Sequence, residues 1–309
     1  MNRLTALPAL LLTGSLAMAA CGGGSDPLAN PTSDTGGATS ADSGAIVVGS
    51  ANFPENELLA EIYAAALEDE GVSVTKQLNI GNREAYLAGL EDGSIDLIPE
   101  YTGNLTLFLN PEATATDSEG VYTELQAALP DNLTVLDKAE AEDKDSVVVT
   151  RATADEYDLT AIGDLKDDAP NLVLGGPPEW RDRQTGVPGL QEVYGLEFAQ
   201  FRPLDAGGTL TVQALINGQI DAGNIFTTDP AIVANDFVVL EDPENLFAAQ
   251  NVVPLISTDK VNPAVEAALN EVSAALTTEN LTAMMVEVGT NGADPATVAR
   301  TFVDENLGG

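Results

Sequence analysis

Two short segments far apart in the chain carry the same pattern, and each ends in an aromatic residue followed by threonine. One is LEDGSIDLIPEYT at residues 90–102, and the other is LINGQIDAGNIFT at residues 215–227. Each pattern predicts a helix end, a capping glycine and a short apolar strand that stops at Tyr101 or Phe226. In an open α/β sheet such a stop lies at the carboxyl edge, where ligands bind. The pair predicts two similar lobes facing one cleft, although a generic helix-to-strand turn recurring by chance would give the same match.

The N-terminal segment has the features of a secretory signal. Arg3 supplies a positive charge, residues 4–17 are apolar but too short to span a bilayer comfortably, and small residues precede Cys21, the single cysteine. The segment resembles that of bacterial lipoproteins, in which cleavage leaves an acylated cysteine as the membrane anchor. We therefore predict a signal peptide at 1–20, and a lipidated Cys21 with a flexible tether at 21–45. An ordinary signal peptide with an accidental cysteine is the alternative.

The residue types exclude several kinds of catalysis. The chain has no histidine, and Cys21 is assigned to the membrane anchor, so Ser-His-Asp and Cys-His chemistry and zinc ligation by His or Cys are excluded. Neither GxxxxGK[ST] nor GxGxxG occurs. Carboxylate pairs are densest in EAEDKD at 140–145, but among 49 acidic residues such pairs are expected as solvated surface. We predict no enzyme activity, no cofactor and no metal.

The charge is strongly negative, with 12 Lys and Arg against 49 Asp and Glu and a net charge of −37. Such a surface repels nucleic acid and anionic lipid headgroups, so neither is predicted as a partner. The acids are spread along the whole chain, which indicates a solvated acidic coat. Direct attraction of a cationic ligand is compatible with this composition but is not required by it.

Helical and strand patterns alternate from Ile46 to Leu307. Strands are predicted at 46–49, 72–80, 95–98, 146–150, 172–174, 198–204, 220–226, 237–240 and 252–256. Helices are predicted from Pro54 to Gly71 and at 83–90, 121–129, 187–194 and 210–216, and further helices close the chain. Alternation on this scale predicts α/β lobes with parallel sheets.

Several blocks of sequence are similar to the substrate-binding proteins of osmoprotectant ABC importers, the glycine betaine, choline and proline betaine type. The resemblance extends over residues 46–307, and its most specific parts are PEYTG and TTDP. The blocks are GSANFPENELLAEIYAAALEDEG, GSIDLIPEYTGNL, PPEWRDRQTGVPGLQEVYGLEF, GGTLTVQAL with IFTTDPAI, and FVVLEDP with NVVPL.

The resemblance implies an α/β, two-lobed periplasmic-binding-protein-like (type II) fold with a hinge and a central cleft. Lobe 1 is expected at 46–144 plus 252–309 and lobe 2 at 145–251, with crossovers near Asp145 and between Pro243 and Val253. Such a protein acts as a monomer that gives a small zwitterionic or cationic solute to the transmembrane permease subunit of an ABC importer.

The resemblance also assigns a site. Family members hold a quaternary ammonium among aromatic faces, while arginine and hydroxyl or main-chain donors take the carboxylate. Tyr101 matches an aromatic of this box, Phe226 occupies another aromatic position, and Arg183 matches the carboxylate-binding arginine. The other candidates are Asn52, Phe53, Thr102, Trp180, Thr227, Thr228 and Asp229; the last three precede Pro230 at the predicted start of a helix whose amides could meet an anion. The chain departs from the full box, since Asp145 or Ser146 stands where a tyrosine is usual.

Simpler roles remain open for these residues. Tyr101 could cap its strand, Phe53 could pack in the core, and Asp229 could be a helix N-cap. Arg183 could pair with Glu179 or Asp182, and Trp180 could pack on the helix at 187–194 instead of replacing a missing face. Two other functions also remain: a binding protein for an amino acid or another small solute, and an envelope or adhesin lipoprotein without a transport role.

Overall fold

The computed structural model describes residues 44–308. The predicted signal peptide, Cys21 and nearly all of the predicted tether lie outside the described residues. The strands, numbered in chain order, are β1 Ile46–Gly49, β2 Val74–Gln77, β3 Leu97–Tyr101, β4 Leu133–Val135, β5 Val147–Val149, β6 Val173–Gly176, β7 Gln200–Pro203, β8 Ala222–Asn224, β9 Val238–Val239 and β10 Val252–Ser257. The α-helices are α1 Pro54–Asp69, α2 Arg83–Asp92, α3 Thr102–Leu109, α4 Ser118–Ala128, α5 Arg151–Tyr157, α6 Val187–Tyr194, α7 Thr209–Ile216, α8 Ala231–Ala234, α9 Pro263–Ala275, α10 Thr278–Gly289 and α11 Pro295–Asn306.

The strands form two five-stranded sheets, with orders β2-β1-β3-β10-β4 and β7-β6-β8-β5-β9. In the first sheet, α1 buries Leu58, Leu59 and Ile62 in a core shared with α9, α10 and α11. Each such side chain removed from water stabilises the fold by about 1.5–3 kcal/mol. The second sheet has a core of its own that includes Val147, Leu174 and Leu190. None of the helices within residues 44–308 is long and apolar enough to cross a membrane.

The α/β class is confirmed, but the prediction of parallel sheets is wrong in part, because both sheets are mixed. In the first sheet, β1 is parallel to β2 and β3, whereas β10 is antiparallel to β3 and β4. In the second, β6 is parallel to β7 and β8, whereas β5 is antiparallel to β8 and β9. The antiparallel strands β5 and β10 are those that enter each sheet from the other one. A run such as SVVVT fits a buried strand of either direction, so the sequence does not decide between them.

Two segments, the outgoing connection (residues 136–146) and the return connection (residues 240–251), carry the chain between the sheets. They are hydrogen-bonded to each other where they cross. The amide of Asp143 donates to the carbonyl of Gln250 at 3.2 Å, and Glu142 and Asn251 form an antiparallel bridge. The side-chain amide of Asn251 also donates to the carbonyl of Ala139 at 2.9 Å. The two connections therefore form one ribbon.

The two copies of the repeated pattern fold alike. Gly93 caps α2 with a φ of 75°, and Gly218 follows α7 with a φ of 61°, a backbone conformation that glycine adopts without strain. The carboxylate of Asp96 accepts from the amide of Val47 at 2.8 Å, and that of Asp221 accepts from the amide of Val173 at 2.7 Å. Each aspartate thus ties its own strand to the neighbouring parallel strand. Tyr101 is the last residue of β3, whereas Phe226 lies two residues beyond the end of β8.

Candidate functional site

A cavity of about 60 Å³ lies where the carboxyl ends of β3 and β8 approach each other. Its walls come from both sheets and from the outgoing connection. Six of the predicted site residues line it, namely Asn52, Phe53, Tyr101, Trp180, Arg183 and Phe226. Residues that the sequence prediction missed include Arg83, Tyr86, Asn104, Asp143, Asp145 and Glu179.

Three aromatic rings form one wall of this cavity, which we name the aromatic face: Phe53, Tyr101 and Phe226. The ring centroid of Phe53 lies 5.3 Å from that of Phe226 and 6.1 Å from that of Tyr101. Phe53 precedes Pro54, so the start of α1 places its ring between two rings that belong to different sheets. Its ring also packs against the first sheet's core, so the core-packing role and the site role are combined. The rings present π-faces that attract a cation unable to donate hydrogen bonds.

Trp180 lines the cavity and is also buried in the second sheet's core together with Leu190 of α6. It stacks on Phe247 with a centroid distance of 6.3 Å and an interplanar angle of 10°. A side chain at Gly186 would lie 1.9 Å from the carbonyl oxygen of Trp180, so only glycine fits there. The indole Nε1 of Trp180 has no hydrogen-bond partner among the described residues. Trp180 thus forms a rigid floor for the cavity.

Two arginines, Arg83 and Arg183, line the cavity, and they differ in how many of their donors are hydrogen-bonded. Arg183 donates through Nη2 to both carboxylate oxygens of Glu84, at 3.0 and 3.2 Å, so neither Glu179 nor Asp182 is its partner. Its Nε is buried and has no hydrogen-bond partner in the described part of the chain. Glu84 belongs to α2, whereas Arg183 follows β6, so this ion pair joins the parts of the molecule built on the two sheets.

Arg83 was missed by the sequence prediction. It is buried and donates from Nε and Nη2 to the two carboxylate oxygens of the buried Glu100, at 2.8 Å each. The hydroxyl of Tyr86 donates to the same carboxylate at 2.7 Å. Burial alone would lower the pKa of Arg83, but the adjacent charge of Glu100 raises it, so the guanidinium stays protonated. The i, i+3 spacing of Arg83 and Tyr86 on one helix was the only signal in the sequence.

The prediction that the acidic run at 140–145 is only solvated surface is wrong in part. The carboxylates of Asp143 and Asp145 are buried at the cavity. Asp145 accepts from the side-chain amides of Asn104 and Asn224, at 2.9 and 2.8 Å. Burial raises the pKa of Asp145. Asp143 accepts from the amide of Thr228 at 3.0 Å. Asp143 and Asp145 are two positions apart, as expected for one face of an extended segment, but this spacing was masked by the high acidic content of the chain.

The remaining predicted residues lie behind the cavity walls. The hydroxyl of Thr102 donates to the carbonyl of Ala249 at 3.2 Å and holds the return connection. The hydroxyl of Thr227 donates to Asp143 at 3.2 Å. The expectation that residues 227–230 open a helix with free amides is not met, because α8 is a single turn that begins later. Asp229 accepts from the amide of Ala231 at 2.8 Å, one residue before the N-cap position.

The model of the substrate binding domain of the ABC-type glycine betaine transport system matches residues 44–305. The glycine betaine-binding protein YehZ of Escherichia coli (strain K12) is 24% identical over 274 residues, which cover 84% of this chain and 90% of that protein. The carnitine transport binding protein OpuCC of Listeria monocytogenes is 24% identical over 305 residues, covering 96% and 94%. The crystal structure of a glycine betaine/carnitine/choline ABC transporter, at 22% identity, superposes with a TM-score of 0.67 over 85% of this chain and 98% of that chain. The predicted fold class is thereby confirmed.

Proposed function

Because the chain belongs to the family of substrate-binding domains of ABC-type glycine betaine transport systems, we propose that it is the extracytoplasmic solute-binding protein of an ABC importer. We propose that it binds a quaternary ammonium osmoprotectant resembling glycine betaine and delivers it to the permease. The observation that carries this proposal is a single cavity lined by both an aromatic face and an arginine with an unused donor.

The aromatic face suits the cationic end of such a solute. A trimethylammonium group cannot donate hydrogen bonds, so a carboxylate or hydroxyl cannot bind it through a hydrogen bond. An aromatic π-face attracts its positive charge without one. The ring of Phe53 lies close to both Tyr101 and Phe226, so three aromatic faces line one wall of the cavity. The carboxyl groups of Asp143 and Asp145 line the same cavity, and their oxygen atoms carry partial negative charge even when a proton is bound.

Arg183 suits the anionic end. The Nε and Nη2 groups of Arg83 are both engaged with Glu100, so Arg83 is committed to the fold. Arg183 bonds only to the partly exposed Glu84, and its Nε is unpartnered among residues 44–308. Exchanging Glu84 for a ligand carboxylate would therefore cost little and would satisfy a buried donor.

An amino acid or another small solute is the second candidate. Asp143 and Asp145 could accept hydrogen bonds from a protonated amine, a contact that a trimethylammonium group cannot make. The two candidates differ in one respect only, which is whether the cationic end donates hydrogen bonds.

A thermal-shift panel separates the candidates, because a ligand that binds only the folded state raises its stability. The panel contains glycine betaine, choline, carnitine, proline betaine, ectoine and amino acids. At one hundred times Kd we expect glycine betaine to raise Tm by about 5–10 °C. The matched control is tert-butylacetate, which has the shape and carboxylate of glycine betaine without the positive charge and should give no shift. Shifts with amino acids and none with quaternary compounds would favour the second candidate, and no shift with any solute would favour an adhesin.

We propose that lobe 1 comprises residues 46–144 plus 252–309 and lobe 2 residues 145–251, with the ribbon of the two connections as the hinge. The order of strands in the two sheets supports this division. Small-angle scattering with and without solute tests it, since closure should reduce the radius of gyration. An unchanged radius at saturating solute would argue against a hinge.

We also propose that residues 1–20 are a signal peptide and that Cys21 is lipidated, so that a monomer without enzyme activity is held on the outer face of the cell membrane. The sequence from Arg3 to Cys21 supports this proposal. Mass spectrometry of the membrane-extracted protein should find an acylated N-terminal cysteine, and Cys21→Ser should release the protein from the membrane fraction. A wild-type protein that is recovered unacylated would contradict the anchor.

A further inference from the structure

Two carboxyl groups lie together behind the aromatic face. Glu55, near the start of α1, is 2% exposed, and Asp143, on the outgoing connection, is 4% exposed. Both side chains accept a hydrogen bond from Thr228, so the two carboxyl groups are neighbours. The hydroxyl of Tyr101 donates to Oε1 of Glu55 at 2.8 Å, and the hydroxyl of Thr228 donates to Oε2. Thr228 follows β8 and also donates its amide to Asp143 at 3.0 Å. The pair therefore links the first sheet to the second.

No cationic side chain among the described residues forms an ion pair with either carboxyl group, Glu55 or Asp143. The neighbouring Lys144 pairs with Glu142 at 3.3 Å instead. The other charged group that acts on Glu55 is Asp229, which also repels a negative charge there. In the described part of the chain, the phenol of Tyr101 is the other titratable side chain that is hydrogen-bonded to the pair.

Two buried carboxyl groups that share the hydrogen-bond partner Thr228 do not both ionise readily, because each disfavours the charged form of the other. Burial raises the pKa of Glu55, and burial with the charge of Glu55 raises that of Asp143 well above its usual range. A retained proton would let one carboxyl group donate a hydrogen bond to the other. It would also remove the repulsion between the two negative charges.

We propose that Glu55 and Asp143 share one proton, and that this proton positions Tyr101 and Thr228 so that closure of the cleft on its solute depends on pH. Glu55 and Asp143 are thus positioning residues for the aromatic face. The part of this inference that concerns the solute rests on the proposed function, whereas the shared proton itself does not.

The composition of the chain makes the effect measurable. The chain contains no histidine, so no unperturbed side chain titrates between about pH 6 and pH 8. A proton linked to binding or stability in this window must come from a perturbed group. The sign follows from the raised pKa: the pair contributes full stability at low pH, and this stability is lost as pH rises through its pKa in the folded protein.

The test measures the Kd for glycine betaine by calorimetry from pH 5.5 to 9 in the wild-type protein and in Glu55→Gln and Asp143→Asn. In the wild type, Kd should rise by up to about tenfold per pH unit once the pair loses its proton. In either variant, Kd should change less than about twofold over the same range, since an amide donates its hydrogen bond at every pH. The matched control is Glu61→Gln, on the same helix; Glu61 is also buried but pairs with Lys76 at 2.7 Å, so its variant should keep the wild-type profile.

A second measurement uses no solute. The infrared spectrum of the ligand-free wild-type protein at pH 7 should contain the carbonyl band of a protonated carboxyl group that is missing from the spectrum of Asp143→Asn; Asp145, whose pKa burial also raises, is present in both proteins. This band should disappear at alkaline pH together with a fall in Tm. Absence of the band at pH 7, or identical pH profiles of Kd in wild type and both variants, would overturn the shared proton. If the band and the fall in Tm are present but no solute binds at any pH, the proposed function fails and the shared proton stands.

Discussion

The ion pair between Arg183 and Glu84 makes the role of Arg183 testable. The side chain of Arg183 is 24% exposed and that of Glu84 is 48% exposed, so water screens their attraction. Pairs of this kind contribute about 0.2–1 kcal/mol. If the ion pair only joins the two sheets and Arg183 does not contact the ligand, removing the pair can weaken solute binding by no more than about fivefold. Glu84→Gln measures this contribution directly.

A contact between Arg183 and a ligand carboxylate would be worth more. A hydrogen bond to a charged group contributes about 1.5–3 kcal/mol, which corresponds to a change of about tenfold to 150-fold in Kd. We therefore expect Arg183→Ala to weaken binding of glycine betaine by at least tenfold. Glu84→Gln should change the affinity by no more than fivefold in either direction, since it removes the ion pair and also the carboxylate that competes with the ligand for Arg183. Choline has no carboxylate, so its affinity should fall in Arg183→Ala only as far as it falls in Glu84→Gln.

Titration calorimetry at one salt concentration measures all of these affinities. The matched control is Arg151→Ala, because Arg151 is 53% exposed, pairs with Asp236 at 3.2 Å and does not line the cavity. This variant has the same change of charge and should bind with wild-type affinity. Equal losses in Arg183→Ala and Glu84→Gln, or equal losses for glycine betaine and choline in Arg183→Ala, would refute the role of Arg183 as the carboxylate ligand.

Three further variants test the rest of the site. Tyr101→Ala should weaken binding of glycine betaine more than tenfold in calorimetry, because it removes both a ring of the aromatic face and a hydrogen bond to Glu55, and unchanged affinity would remove Tyr101 from the site. Phe226→Leu keeps apolar bulk without a π-face and should weaken binding by about 2- to 30-fold, with no change taken as evidence against a cation at this ring. Arg83→Met should lower the free energy of unfolding in urea by about 3–5 kcal/mol, since it leaves the buried Glu100 without its cation, and the double variant with Glu100→Gln should recover most of this loss. Equal stabilities of the single and double variants would contradict that reasoning.

The sequence predicted those parts of the site that are encoded locally. A capping glycine, an apolar strand and an aromatic residue at its end are neighbours in the chain, so the repeated pattern alone placed Tyr101 and Phe226 at strand ends. The interactions that it missed join distant segments. Glu55 contacts Thr228 across 173 positions, and nothing near Glu55 in the sequence distinguishes its carboxylate from the many solvated ones.

The direction of β5 and the ion-pair partner of Arg183 could not be predicted from the sequence either. The apolar run that becomes β5 has the composition of a buried strand, but its antiparallel direction depends on the connection that brings the chain from the other sheet. The partner of Arg183 was sought among its neighbours Glu179 and Asp182, whereas α2 supplies Glu84. Because the contact between Arg183 and Glu84 crosses from one sheet to the other, spacing in the sequence was a poor guide to it.

The ribbon formed by the two connections restricts how the molecule can move. Two independent linkers would allow the sheets to swing, twist and slide relative to each other, whereas hydrogen bonds between Asp143 and Gln250 and the bridge between Glu142 and Asn251 couple them. A coupled pair of strands bends easily about one axis and resists shear. The proposed opening and closing then has a single coordinate, the bend of the ribbon. A permease that contacts both lobes could thus distinguish the loaded from the empty protein by the distance between the two lobes.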